Sequence, residues 1–176
     1  MRTEKNEQQT LGRSAAFSGH RHISPDRLPT LLKTLDTTIA RLYEEGVTTF
    51  YCGMAMGFDL MAAESVLNLR ALHPEVKLIA VIPFKGQDKF YDDEDKTRYA
   101  KALVSADAKV FMSKSYSKSS YLRRNIYMLK NATTLVAYLD PNKKDGGTAF
   151  TCSHAHEDSV SSNPQPNLEC RISMKY

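Results

Sequence analysis

The chain has 176 residues, 41% of them apolar and 25% charged, which suits one globular domain and would cramp two. No uninterrupted apolar run approaches the roughly 20 residues of a membrane-spanning helix, so no membrane partner is expected. A formal charge of +4 gives mild affinity for anions, but acids and bases are mixed through much of the chain, and charge alone does not single out nucleic acid.

Met1 to Gly12 is polar and charged and has no apolar secretory segment, which predicts a cytoplasmic protein with a disordered arm over residues 1–13. Ala15 to Ser18 reads as a first strand. Ser24 can then cap a helix with Pro25 at its first position, where the missing donor costs nothing. Leu28, Leu31, Leu32, Leu35, Ile39 and Leu42 fall on one face of that helix, and Gly46 is a natural stop. Val47 to Cys52 is a second strand, and a helix opening near Gly57 runs to His73, just before Pro74. Val76 to Ile82 is nearly all apolar, as expected of a strand covered on both faces. The polar stretch Lys85 to Asp95 leads into a helix ending near Val104. Lys109 to Met112 and Thr133 to Leu139 are two more strands, separated by a helix carrying Tyr121, Leu122, Ile126 and Leu129. This alternation predicts a Rossmann-like three-layer α/β sandwich over 14–157, with a mostly parallel sheet of five or more strands. Ser159 to Asn167, rich in Ser, Asn and Pro, predicts loop, and the irregular tail 158–176 offers one weak edge strand at Leu168 to Ser173.

Three glycine loops follow strands and so stand at the edge where open α/β sheets bind ligands. In the first, Ser18, Gly19, His20 and Arg21 combine a backbone that a ligand can approach with a guanidinium able to fork onto phosphate or carboxylate. The competing reading is a tight turn beside a solvated arginine. The second, Gly53-Met54-Ala55-Met56-Gly57-Phe58-Asp59, opens a helix whose unpaired N–H groups favour an anion. It is neither a Walker loop nor the dinucleotide G-x-G-x-x-G pattern. Asp59 would repel a phosphate beside it, so it is assigned either to a ribose diol or to capping the helix. The third, Asp145-Gly146-Gly147-Thr148, follows the fifth strand and opens another helix.

Around these loops, Pro83, Arg124 and Asn125 are candidates for the site wall. Arg123 and Arg124, with Lys114 and Lys118 nearby, form a basic cluster that otherwise reads as a solvated helix face. Asp59 and Glu64 are weak acid–base candidates, because five residues do not align them on one helix face. Met56 and Met61 read as core or pocket wall. Cys52, Cys152 and Cys170 form no Cys-x-x-Cys pair and are expected to be reduced. His154 and His156, two apart on a helix, point to different faces, so no metal site is expected near Glu157.

Ser18-Gly19-His20-Arg21, Gly53 to Asp59 with the following Ala62-Ala63-Glu64, and Gly146-Gly147-Thr148 together resemble the YpsA-like branch of the SLOG superfamily. Pro83 with Gln87, Tyr99, Asp107, Tyr116, Arg124-Asn125 and Met128 agree with it as well, and the resemblance spans about Ala15 to Glu157. It implies a Rossmann-like fold whose glycine loops bind nucleotides or nucleotide-derived small molecules. Relatives so implied include cytokinin-activating phosphoribohydrolases and the DNA-processing protein A family, which handles single-stranded DNA. The hydrolases carry a Pro-Gly-Gly-x-Gly-Thr-x-x-Glu loop with a catalytic glutamate. Here Gly146-Gly147-Thr148 runs into Ala149-Phe150-Thr151, with no acid before Glu157.

Three functions follow as expectations. The first is binding or sensing of a nucleotide-like small molecule, with no required cofactor, in a protein open to homo-oligomerisation. The second is hydrolysis of a nucleotide N-glycosidic bond, with Asp59 or Glu64 as acid or base. The third is single-stranded nucleic-acid binding along the basic segment Lys114 to Lys130, with Tyr116, Tyr121 and Tyr127 available to stack.

Overall fold

A computed structural model of the chain describes residues 13–140, 146–157 and 169–173. The expected N-terminal arm, the loop 159–167, Asp145 and the side chains of Cys170, His154, His156 and Glu157 lie outside the described residues. In chain order the elements are β1 (Arg13–Gly19), α1 (Leu28–Glu44), β2 (Val47–Cys52), α2 (Phe58–Leu72), β3 (Lys77–Ile82), a short 3₁₀ turn (Gln87–Phe90), α3 (Asp93–Ser105), β4 (Ala108–Phe111), α4 (Ser120–Asn131), β5 (Thr134–Tyr138), α5 (Gly147–Glu157) and β6 (Glu169–Ser173).

The strands form one sheet in the order β4-β3-β2-β1-β5-β6, and every neighbouring pair is parallel. A parallel sheet needs cover on both faces, and the sequence alternates to supply it. Ala15 and Phe17 of β1, with Val136 and Tyr138 of β5, face a core built with α1, α2 and α3. Ala16, Leu135 and Ala137 face the opposite core, with Met128 and Leu129 of α4 and Cys152 of α5. This is a Rossmann-like sandwich of three layers.

The chain runs outward from β1 through β2 and β3 to β4, then returns to place β5 on the other side of β1. Neighbouring crossovers therefore diverge at the C-terminal ends of β1 and β5. Such a switch point leaves a crevice in the helical cover, which is where sheets of this kind take ligands.

Two local expectations change. Helix α1 begins at Leu28 rather than at Pro25, and Pro29, near its start, is the proline that sits in its first turn. Ser24 does not cap it; its hydroxyl bonds the Asp26 side chain, and the Arg27 amide donates to the Ser24 carbonyl in a preceding turn. Residues Leu31, Leu35, Ile39 and Leu42 are buried as the periodicity requires, whereas Leu28 and Leu32 are exposed at the edge of the stripe. Helix α3 has the cap that α1 lacks: the Asp92 carboxylate accepts from the Asp95 amide at 2.7 Å.

Candidate functional site

The first two glycine loops are packed directly on one another. Gly57 has φ +77°, and a Cβ there would lie 2.2 Å from the Arg21 carbonyl oxygen. Only glycine supplies both that backbone and that space. The Phe58 amide donates to the His20 carbonyl at 3.1 Å, locking the start of α2 to the loop after β1. The Phe58 ring lies against Gly19 and stacks on Tyr138 of β5, with centroids 5.8 Å apart.

The second and third loops are joined through α4. A Cβ on Gly53 would meet the Arg124 guanidinium at 2.5 Å, so its absence admits that side chain. Arg124 donates from Nη1 to the Gly53 carbonyl (2.8 Å) and from Nε to Asn125 Oδ1 (2.9 Å). Asn125 Nδ2 donates to Thr151 Oγ1 (2.8 Å), and that hydroxyl donates to the Gly147 carbonyl (2.7 Å). A buried relay thus runs from the loop after β2 to the start of α5. Gln87 braces its near end, donating from Nε2 to the same Gly53 carbonyl (3.1 Å) and to the Tyr91 hydroxyl, which in turn donates to the Met54 carbonyl (3.2 Å). Met54 is held there at φ +59°, a strained conformation for a non-glycine residue.

These loops enclose a hollow of about 270 Å³ at the β1/β5 switch point. Ser18, Gly19, His20 and Arg21 line it from the first loop, Ala55 and Asp59 from the second, and Gly147 and Thr148 from the third; Tyr121, Arg124 and Asn125 complete it from α4. The Arg21 and Arg124 guanidiniums lie over the Tyr121 ring, 4.8 and 5.6 Å from its centroid.

Asp59 is the acid of this hollow. It is almost fully buried, its Oδ2 accepts from the Ala55 amide at 3.3 Å, and Arg124 Nη1 stands 4.0 Å away. Burial pushes its carboxyl up to about 6, against the opposing pull of the Arg124 guanidinium, the Ala55 amide and Arg21. It does not cap α2: Gly57 holds the N-cap position, and Asp59 reaches back to the loop.

The start of α2 is not the open anion hole that its sequence suggests. The Phe58, Leu60 and Met61 amides already donate to the carbonyls of His20, Ala55 and Gly57. The start of α5 differs, since the first amide with a helical acceptor is that of Phe150, to Gly146 at 3.1 Å. The amides of Gly147, Thr148 and Ala149 precede it and have no acceptor within the helix.

Glu64 lies outside the hollow. Arg98 grips both its oxygens, at 2.8 and 2.9 Å, in an ion pair that joins α2 to α3. Gly53, Met54 and Gly57 shape the loops from beneath, and neither they nor Pro83 and Gly146 are part of the lining. Cys52 and Cys152 are buried, and the Cys52 thiol donates to the Asp59 carbonyl at 3.1 Å. Among the described residues no group of His, Cys, Asp and Glu side chains is placed to hold a metal, and no helix is long and apolar enough to cross a membrane. From sequence, Tyr121 is placed on α4 and offered only as a stacking aromatic for single-stranded nucleic acid, and Thr151 is passed over. Its signal was the spacing of Tyr121 and Arg124 by one helical turn, which sets both on one face.

The family model for YpsA, the YspA SLOG family, matches residues 21–168. The chain belongs to this SLOG family. A UPF0398 protein from Halalkalibacterium halodurans is 30% identical over 113 residues, covering 63% of this chain and 60% of that protein. The chain thus spans about three fifths of that relative's length. The uncharacterized SPbeta prophage-derived protein YoqJ of Bacillus subtilis is 30% identical over 131 residues, covering 65% of this chain and 77% of YoqJ. Among solved structures, DNA processing protein A from Helicobacter pylori superposes with a TM-score of 0.51 at 15% identity, over 86% of this chain and 74% of that one. At that identity the likeness is one of fold, and the SLOG chain described here shares its architecture.

Proposed function

We propose that the hollow binds a phosphorylated nucleoside and that the protein acts as a binding or sensing module. The observation that carries this reading is the pairing of two guanidiniums, Arg21 and Arg124, with the Tyr121 ring in the same hollow as the buried Asp59. Arg21 and the first amides of α5, which have no acceptor within the helix, would meet the phosphate. The Tyr121 ring holds the two guanidiniums at the hollow, and Asp59 accepts from the ribose diol.

A second reading has its own support. A carboxyl raised to about 6 in a cleft is poised near neutral pH, as a general acid or base must be. The hollow would then cleave the N-glycosidic bond of its nucleotide, with Asp59 protonating the leaving base or activating water. A third rests on fold alone: the H. pylori relative is described as having a single-stranded DNA binding mode.

One panel separates these. Thermal melting and titration calorimetry with nucleoside monophosphates and short oligonucleotides measure binding, and chromatography of the same mixtures measures free base. The proposal predicts saturable mononucleotide binding with no base release. Base release falling away around pH 6 would favour the hydrolase. Affinity confined to oligonucleotides and falling steeply with salt would favour a nucleic-acid role. Binding by none of them would remove the nucleotide reading.

A further inference from the structure

Outside the hollow, its wall continues as an aromatic shelf. Phe84, two residues beyond β3, meets Tyr121 edge-on at 5.7 Å and Tyr116 edge-on at 5.4 Å, and Tyr116 and Tyr121 stand 6.5 Å apart. Phe84 follows β3, Tyr116 stands in the loop between β4 and α4, and Tyr121 is in the first turn of α4, all on the rim that carries the hollow. Tyr121 belongs to both, lining the hollow and touching Phe84 and Tyr116.

The outermost ring, Tyr116, is 62% exposed. Packing of the loop alone gains little from a ring left mostly in water, and a satellite cluster normally buries its largest member. The segment that carries Tyr116 and Tyr121, from Ala108 to Leu139, holds Lys109, Lys114, Lys118, Arg123, Arg124 and Lys130 and no Asp or Glu, whereas the stretch after Phe84 mixes Lys85 and Lys89 with Asp88, Asp92 and Asp93. An open aromatic face on a cationic segment is suited to a flat ring attached to an anion. The shelf also has an end. Phe111, a further exposed ring, has the Lys85 ammonium 5.9 Å from its centroid, so the chain's own cation already occupies that face.

Building on the nucleotide reading of the hollow, we infer that this site takes a dinucleotide, with one nucleoside in the hollow, the linking phosphate at Arg21 and the second base stacked on Tyr116 and Phe84. The Tyr116 subsite selects two-base ligands over one-base ligands. It adds no contact to a mononucleotide.

The test is titration calorimetry of the full chain with AMP and with the 5′-phosphorylated dinucleotide pApA, for the wild type, Tyr116→Ala and Tyr116→Phe. The wild type should bind pApA about tenfold more tightly than AMP, the order of one stacked base. Tyr116→Ala should abolish that advantage while leaving AMP affinity unchanged, and Tyr116→Phe should retain it, because the ring and not the hydroxyl stacks. Equal affinity for AMP and pApA in the wild type would overturn the shelf and leave the hollow standing, as would an advantage that survives in Tyr116→Ala. Affinity that keeps climbing from pApA to a hexanucleotide would also overturn it, in favour of a longer strand track. Failure of AMP and pApA alike would instead dispose of the nucleotide reading beneath it.

Discussion

Asp59 carries a conflict between burial and charge that should be visible in the pH dependence of stability. Its carboxyl is raised from 3.8 to about 6 in the folded chain, so the folded state holds the proton more tightly than the unfolded one. The stability this contributes is complete below about pH 4 and is lost as pH rises through about 6. A shift of about two pH units corresponds to roughly 3 kcal/mol. Denaturant melts of the wild type should therefore lose roughly that much relative to Asp59→Asn between about pH 3 and 7, and parallel pH profiles would show that Asp59 is not strained. Arg21 is the complementary case. It is exposed and its main contact is the Tyr121 ring, so Arg21→Ala should change stability by no more than about 1 kcal/mol. Loss of a charge-assisted contact should at the same time weaken a phosphorylated ligand by roughly tenfold or more in calorimetry. An Arg21→Ala protein with wild-type affinity would place the phosphate elsewhere.

The elements meet at their glycines, and the two kinds of glycine can be told apart by experiment. Gly46 and Gly57 have positive φ, but a Cβ meets nothing at Gly46 and the Arg21 carbonyl at Gly57. Gly46→Ala should cost only the conformational strain, about 1 kcal/mol, and Gly57→Ala more than about 2 kcal/mol, since two backbones must part. Chemical denaturation checks both, and equal losses would mean that the loops are not wedged together. The relay through α4 gives a second prediction: Thr151→Val removes the hydroxyl joining Asn125 to Gly147 and leaves a buried amide short of a partner. That should destabilise by about 1–3 kcal/mol and loosen the start of α5, read as faster exchange of the Phe150 amide, which donates to the Gly146 carbonyl. Much of this level was legible in the sequence. Strands β1 to β5 fall within a residue or two of their predicted spans because each is a short apolar run closed by Gly, Pro or polar residues. The misread start of α1 has a physical cause, since Ser24-Pro25 and Leu28-Pro29 carry the same proline signal and only packing chooses between them. The fate of the α2 amides was not legible, because the carbonyl that Phe58 bonds belongs to His20, which is 38 residues away in the chain and becomes its neighbour through β1/β2 pairing. The Arg98 grip on Glu64 was hidden for the same reason, joining α2 to α3 across the surface of the fold.

At the scale of the whole molecule, the order β4-β3-β2-β1-β5-β6 makes the hollow. Reversal of the winding direction at β1 leaves a gap above the two central strands, and each loop bordering it begins where a strand ends. That three glycine loops distant in sequence would share this rim followed from the strand–loop–helix pattern alone. That α4 would close it with Tyr121, Arg124 and Asn125 did not, because helix position depends on packing across the sheet. A ligand bound there touches β1, α2, α4 and α5 together, so saturation at about 100 times Kd should stabilise the fold by about 2.7 kcal/mol and raise Tm by several degrees. The most direct measurement is a titration of the isotopically labelled chain with a nucleoside monophosphate, followed residue by residue through backbone amide resonances. Shifts concentrated at Gly19, Arg21, Ala55, Gly147 and Thr148, with β4 and the outer ends of α1 and α3 unmoved, are what the account predicts. Shifts centred on any other surface, or none at saturating ligand, would contradict it.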